Sequence, residues 1–506
     1  MAKSLLIKNS VFGLVQLVLT AALTFISVPL FIGELGLELY GVWAVVAVIG
    51  NLSTLTNYGL NRALVVFVAQ QGKSKKSDLD IMVTQIILFF LIVFFGLIVI
   101  VNKAFIVNTI LSIPIIYSQD AQQLLLLLVL ANGFLLLGQT FTAVIDANQK
   151  MYITNSCQFV YSLIYWVSQI IILYLGGGLF EIGLGALFAA IVWFLLLYIF
   201  YRKIWGKLDL EGLLSNFKLV AKKQIAYGSK IYISGFTGFM FEPLSKILLS
   251  KFIGVDAVAV FEIGLKVKNQ LNGFLVKILN PLFPYIAQEE DNKKLHLKIN
   301  DLTLKIQLAV IPIAIALLFT LKILIELWLG TDNLEQVTVF VITMTVTLIM
   351  LQPSVLPVYQ YLQSKNLADK TIYVQLASVL VNALVFLLSY RIIGVYAILI
   401  SNSLGLFAAY MMCNYYKYKY LNFSIFKEIK YYTKLGLLAS ILLIQCIIVR
   451  YYLEYSIWDL IIYPTILGIS SIVLIRWMKL ITILDLQRYF ETIPYLKQKL
   501  IKLLIT

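Results

Sequence analysis

The chain has 506 residues, 61% of them hydrophobic and only 13% charged, with a mean hydropathy of +0.92. Soluble domains run nearer about 45–50% apolar and about 25% charged, so an ordinary soluble enzyme is excluded, as are disordered and fibrous chains. The formal net charge of +15 comes from 40 Lys+Arg against 25 Asp+Glu; in a soluble protein it would suggest nucleic acid, but in a membrane protein it is first a statement about topology.

A bilayer core of ~30 Å takes about 20 apolar residues per helix. That ruler predicts an all-α membrane protein of about fourteen spans, at 10–32, 39–62, 80–102, 122–146, 152–175, 179–201 and 226–250, then 257–285, 302–329, 335–362, 371–390, 393–416, 433–451 and 457–476. The first run follows a basic start, is too long for a signal-peptide core and lacks a small-x-small cleavage site, so it reads as a retained helix. Of the 40 cations, 29 fall in the connections on the N-terminal side or in the tail, and only Lys103, Lys251, Arg391 and Arg450 fall in the opposite loops. That bias predicts both termini on the cytoplasmic side. The tail from Lys479 to Thr506 alternates Ile/Leu with Lys and reads as short amphipathic pieces on the inner leaflet.

Residues 31–70 and 252–288 each start Phe-Ile-Gly, continue as a long helix and reach Ala-Gln. Their offset equals six spans, an even number, which predicts two six-helix lobes in parallel repeat with two C-terminal helices appended. The expected organisation is an N-lobe over 1–205, a basic cytoplasmic linker over 206–225 and a C-lobe over 226–418. The last two spans then occupy 419–476 and the amphipathic tail 477–506.

Seven lysines remain inside spans. Lys230, Lys246, Lys305 and Lys322 lie near span ends, where a long side chain can reach the interface. Lys266, Lys268 and Lys277 flank the middle of span eight together with Glu262, and Glu242 lies in span seven. Glu262, Lys266, Asn269, Gly273, Lys277 and Asn280 fall on one helical stripe at ~100° per residue. On span seven Glu242 precedes Lys246 by four residues, the favourable order for an ion pair. Each charge near a helix centre costs about 2.5–3.5 kcal/mol against lipid. These groups should therefore line a wet cationic cavity suited to an anionic substrate, with Glu242 and Glu262 as counter-ions or ion-coupling groups, or else pair with one another across spans seven and eight. Arg62, at the end of span two, is a candidate for the cavity mouth. Asp146 and Asn148, after span four, read as cap or turn residues.

Cys157, Cys413 and Cys446 sit in apolar stretches and read as small buried hydrophobes; His296 has no second ligand beside it, so no metal or other cofactor is expected. No Walker motif is present, the longest non-cytoplasmic loop is about 103–121, and no large loop carries an acidic cluster, so an enzyme is not expected.

The stretches GELGLELYGVWAVV, NYGLNRALVVFVAQ, AVIDANQKMYITN and EPLSKILLSKFIGVDAVAVFEIGLKV resemble Wzx-type polysaccharide flippases of the multidrug/oligosaccharidyl-lipid/polysaccharide exporter superfamily. The resemblance implies an alternating-access cycle that moves an undecaprenyl-pyrophosphate-linked sugar unit across the bacterial inner membrane for surface polysaccharides such as the O-antigen of lipopolysaccharide. It also implies the polysaccharide polymerase and chain-length machinery as partners. The family's cationic cavity maps onto Lys266 and Lys277, with Lys246 nearby; Lys268, Asn269 and Arg62 complete the candidate binding set. The cavity here is built on Lys, which lacks the bidentate fork of Arg. Coupling to a sodium or proton gradient would run through Glu242 or Glu262. The alternative is a multidrug or cation exporter of the same superfamily, which would be expected to carry an acidic cavity.

Overall fold

The fold comes from a computed structural model in which residues 2–55, 57–279, 286, 291–330, 334–365, 367–421, 425–478 and 480 are described. The side chains of some helical stretches, Arg62 and Lys277 among them, fall outside this set, as does the amphipathic tail after residue 480.

Helix α1 (Ala2–Leu55) is broken at Gly36, whose φ of 79° and ψ of 165° cannot continue a helix and suit a residue without Cβ. The break separates the first two expected spans, and α2 (Asn57–Gln71) follows. Ser74 caps α3 (Lys75–Phe105) by accepting from the Ser77 amide. A π-turn (Ile106–Ile110) and a short 3₁₀ turn (Ile115–Tyr117) lead into α4 (Ser118–Ala147) and α5 (Met151–Tyr174). Helix α6 (Leu179–Trp205) ends at Gly206, which takes φ 82°.

The expected span over 226–250 is divided. Helix α7 (Leu213–Phe239) stops at Met240 and α8 (Phe241–Phe252) begins, because Pro243 brings no amide hydrogen to continue the ladder. Next come α9 (Val255–Leu279), α10 (Asn292–Leu329), α11 (Leu334–Ser364), α12 (Ala368–Ile393) and α13 (Ala397–Leu421), the last two joined by a 3₁₀ turn at Gly394–Tyr396. Helices α14 (Ile425–Tyr452) and α15 (Asp459–Trp477) complete the described elements.

Ten described helical stretches are long and apolar enough to cross a membrane. Two of them, Val18–Ile49 and Asp369–Leu421, contain the breaks at Gly36 and Gly394–Tyr396. Counting their halves, together with the α7–α8 pair and α9, is consistent with the expected fourteen. Apolar side chains stand exposed along these helices, Val101 at 79% for example, which an aqueous protein could not sustain but a bilayer solvates. The chain is a multi-pass, all-α membrane protein, with no strand among the described residues.

The chain packs as two units. The first comprises Met1–Ile263 and Asp369–Gly405, the second Gly264–Ala368 and Leu406–Thr506. In the first unit, Leu64, Ile81, Phe141, Trp193, Tyr201 and Trp205 form a core between α2, α3, α4 and α6. Gly138 is needed there, since a Cβ would lie 2.5 Å from the Trp193 ring. Deeper, a buried polar trio joins α8, α12 and α13: Asn382 donates to Ser245 Oγ at 2.8 Å, and Asn402 donates to Ser245 Oγ and to Asn382 Oδ1, each at 3.2 Å. In the second unit α10 packs on α14 and α15 through Leu308, Ile311, Ile315, Leu438, Leu442 and Leu467. There Phe319 stacks on Tyr463 at 4.9 Å, and Arg450 pairs with buried Asp459 at 2.8 Å.

Candidate functional site

Because the polar trio fixes the Ser245 face of α8, Lys246 projects from the next face. Its Nζ reaches Glu262 Oε2 on α9 at 2.6 Å, with the two side chains only 13% and 11% exposed. Two charges held this far from bulk water carry a large desolvation penalty that a single contact only partly offsets. The sequence leaves open whether these groups face a cavity or pair with each other; the structure shows an interhelical pair.

An aromatic wall stands beside the pair. Tyr40 stacks on Trp43 at 5.5 Å, and Phe31 meets Tyr40, Trp43 and Trp166 at 6.1, 5.2 and 6.2 Å. Tyr165 sets its ring edge-on to Trp166 at 5.0 Å. The Glu262 carboxylate acts electrostatically on the phenols of both Tyr40 and Tyr165. This meeting of α1 with α9 depends on Gly41, where a Cβ would sit 2.0 Å from the Val255 carbonyl oxygen and 3.4 Å from Ala259 Cβ. At the near end of α9, Tyr117 donates to Glu38 at 2.9 Å. Asp256 beside them has its carboxyl held above the usual range, first by partial burial and then by Glu38.

The remaining sequence candidates lie as follows. Lys268 is buried at 7% exposure, Lys266 is half-buried and Asn269 is exposed, and all three make polar or electrostatic contacts. Glu242 is half-buried on α8, also with a partner. The side chains of Lys277 and Arg62 lie outside the described residues. Asp146 accepts from Thr154 Oγ1 at 2.8 Å, and Asn148 donates to the Val144 carbonyl at 2.8 Å, so both close the α4–α5 turn. The three cysteines are buried and unbridged. Among the described residues no group of three His, Cys, Asp or Glu could hold a metal ion.

Sequence reasoning missed two sets of residues. Tyr40 and Tyr165 sit in apolar helices where an aromatic ring reads as core or lipid contact, and only the glycine after Tyr40 signals a close approach. The other set lies at the lysine-rich helix ends. Buried Asp78 accepts from the Trp205 indole at 2.6 Å and from the Asp209 amide at 2.9 Å. Buried Asp80 accepts from Gln71 at 3.1 Å and Gln224 at 3.3 Å, with Lys223 Nζ at 3.8 Å. Lys223 also lies 3.7 Å from the centre of the Phe67 ring. These contacts clasp α7 and the preceding linker to α2 and α3.

The family described as polysaccharide biosynthesis protein matches residues 6–290, more than half of the chain. The chain belongs to that family. An O-antigen transporter candidate of Shigella flexneri is 21% identical to this chain over 328 residues, 65% of the chain and 77% of the relative. Among solved structures, the lipid II flippase MurJ in an inward closed conformation superposes with a TM-score of 0.71 at 13% identity, covering 92% of this chain and 97% of that one. An inward-facing multidrug resistance MATE transporter gives 0.59 at 12% identity, covering 82% and 98%. The chain thus has the fold shared by these transporters, as its sequence resemblance implies.

Proposed function

We propose that the protein is a flippase that carries an undecaprenyl-pyrophosphate-linked oligosaccharide from the cytoplasmic to the outer leaflet of the bacterial inner membrane, with both termini cytoplasmic. The carrying observation is Lys246, a cation buried beside an aromatic wall inside a membrane fold and neutralised by Glu262. A charge this costly to bury is retained where the reaction uses it. Such a substrate combines a hydrophilic head, negative charge and a long apolar tail. Its flip is slow because head and charge must cross hydrocarbon. In this reading Lys246 offers the diphosphate a substitute for water, while the aromatic faces beside it pack against sugar C–H surfaces; Lys266, Lys268 and Lys277 are proposed on sequence grounds as further cations for the head group. No bond is broken, so no catalytic group is required. Rocking of the two repeat-related lobes would expose the site to each side in turn, and surface-polymer polymerase machinery would consume the product. Sodium or proton coupling through Glu242 or Glu262 belongs to the same reading.

Translocation of a lipid-linked oligosaccharide in reconstituted vesicles tests it. The Lys266→Ala/Lys277→Ala and Lys246→Met/Glu262→Gln pairs should each lower the rate tenfold or more. Normal translocation by correctly inserted variants would overturn the cationic-site mechanism. Transport of organic cations in place of the lipid would favour the multidrug exporter. Rates that ignore both gradients would remove the coupling role.

A further inference from the structure

The N-terminal half of α7, residues 213–226, has two faces of different chemistry. Inward, Val220 and Ala221 pack with Val83 of α3, and Leu213 and Phe217 lie against them. Fully buried Gln224 donates to the Asp80 backbone carbonyl at 2.8 Å and accepts from Thr84. Outward, Leu214 is 95% exposed, Leu219 71% and Ile225 52%, and Lys218 and Lys222 stand exposed among them. At ~100° per residue Leu214, Lys218, Lys222 and Ile225 share one stripe. Lys223 lies off that stripe and turns back, 3.8 Å from Asp80 and 3.7 Å from the centre of the Phe67 ring. No acidic residue occurs between Glu211 and Glu242, so the outward face is purely cationic and apolar.

The neighbouring helix fixes the depth of this face. Glu211 pairs with Lys75, the first residue of α3, and Gln224 meets Asp80 and Thr84 further along it. Residues 213–226 therefore run beside the first turns of α3, short of Phe89, where its bare apolar side chains begin at 53% exposure. That level is the boundary between water and hydrocarbon. Bare leucine and isoleucine interleaved with lysine, on a helix lying at that boundary, is the pattern of a surface that meets lipid head groups. We propose that this half of α7 is a docking surface for anionic phospholipid: Leu214, Leu219 and Ile225 enter the acyl boundary, while Lys218 and Lys222 meet the lipid phosphates. The inward face is clasped to α3 through Gln224 and Asp80, so lipid charge bears on the α3–α7 contact. The surface requires only that the chain spans a membrane and is independent of what is carried.

The test uses the full-length protein with a nitroxide attached at Leu214→Cys; the three native cysteines are buried. In vesicles of equal parts phosphatidylglycerol and phosphatidylcholine, the label should be open to oxygen and closed to a water-soluble nickel complex. In phosphatidylcholine alone it should become open to nickel. Each lysine beside an anionic surface should count for about fivefold, so Lys218→Gln/Lys222→Gln should lower the ratio of lipid-embedded to water-exposed label about thirtyfold in the mixed vesicles. Lys223→Gln should lower it far less, because that ammonium faces Phe67 and Asp80. A label open to nickel in the mixed vesicles, as for a surface that awaits a soluble partner, would overturn the proposal. So would equal accessibility in the two kinds of vesicle, an unchanged double variant, or an equal loss from Lys223→Gln alone. Lys218→Gln/Lys222→Gln should also unfold at the wild-type temperature in detergent; earlier unfolding would show the two lysines serving the fold and would overturn the assignment as well.

Discussion

Trp205, the last residue of α6, donates its indole N–H to the carboxylate of Asp78 in the first turn of α3 at 2.6 Å. The second oxygen of that carboxylate accepts from the Asp209 amide, so one buried acid closes the linker over the α2–α3 corner. Removing it by Asp78→Ala orphans two donors, one of them in the core. The cost should be on the order of 3 kcal/mol, with Asp78→Asn intermediate. Thermal unfolding in detergent measures the loss, and the Trp205 emission should shift to the red as the indole gains water.

Asp80 and Gln224 hold α7 on α3, supported by Thr84, whose hydroxyl donates to Gln224 Oε1 at 2.8 Å. Asp80→Ala and Gln224→Ala should therefore be non-additive, with a coupling of about 0.5–3 kcal/mol in a double-mutant cycle. Lys223 is half exposed despite its contact with Phe67. Lys223→Ala alone should cost less than about 1 kcal/mol.

Gly33 and Gly41, on either side of the break at Gly36, give opposite expectations. A Cβ at 41 would strike the Val255 carbonyl, whereas a Cβ at 33 meets nothing within 4 Å. Gly33→Ala should be neutral or stabilising by about 0.5–1 kcal/mol. Gly41→Ala should cost about 1–3 kcal/mol or more by forcing α1 from α9, and translocation should fall with it. Thermal unfolding of the two variants side by side checks the contrast.

Tyr455, between α14 and α15, donates to Glu326 at 3.0 Å, and its ring lies 4.9 Å from the Arg450 guanidinium and 5.3 Å from Lys322 Nζ. Partial burial first, and then the Glu326 hydrogen bond, push the phenol up to about 12. An acid with a raised folded-state pKa contributes fully below its unfolded value, about 10, and loses that contribution as pH climbs towards 12. A difference absorbance titration against Tyr455→Phe should show one phenol ionising near 12; ionisation near 10 would show that the tie is not made.

The fold was legible because hydropathy and span length are local properties. Gly36, Gly394 and the basic ends mark breaks that a bilayer ruler can find. The division of the 226–250 span follows from Pro243, which length alone does not weigh. The charged residues of α8 and α9 were legible as expensive groups, and pairing across the two spans was one of the two readings, but which residue meets which was not legible. Spacing along one helix offers Glu242 to Lys246, whereas the contact described here runs between helices across the turn at Ile253 and Gly254. Nothing in the local sequence singles out Asp78 and Asp80, which follow a lysine-rich stretch. Their burial is set by Trp205 and Gln224, far along the sequence, and no local pattern carries that. Tyr40 was silent for a simpler reason: an aromatic residue in an apolar helix looks the same whether it meets lipid or a neighbouring helix.

The Ser245–Asn382–Asn402 trio works like a key in a shaft. One serine oxygen takes two amide donors from two different helices, and in an apolar medium such bonds resist being broken without replacement. Helix α8 is therefore indexed against α12 and α13 and cannot turn about its own axis. Lys246, the very next residue, inherits that fixed azimuth. Whatever frees it from Glu262 must work through its own side-chain torsions or through movement of α9, because rolling α8 is mechanically barred.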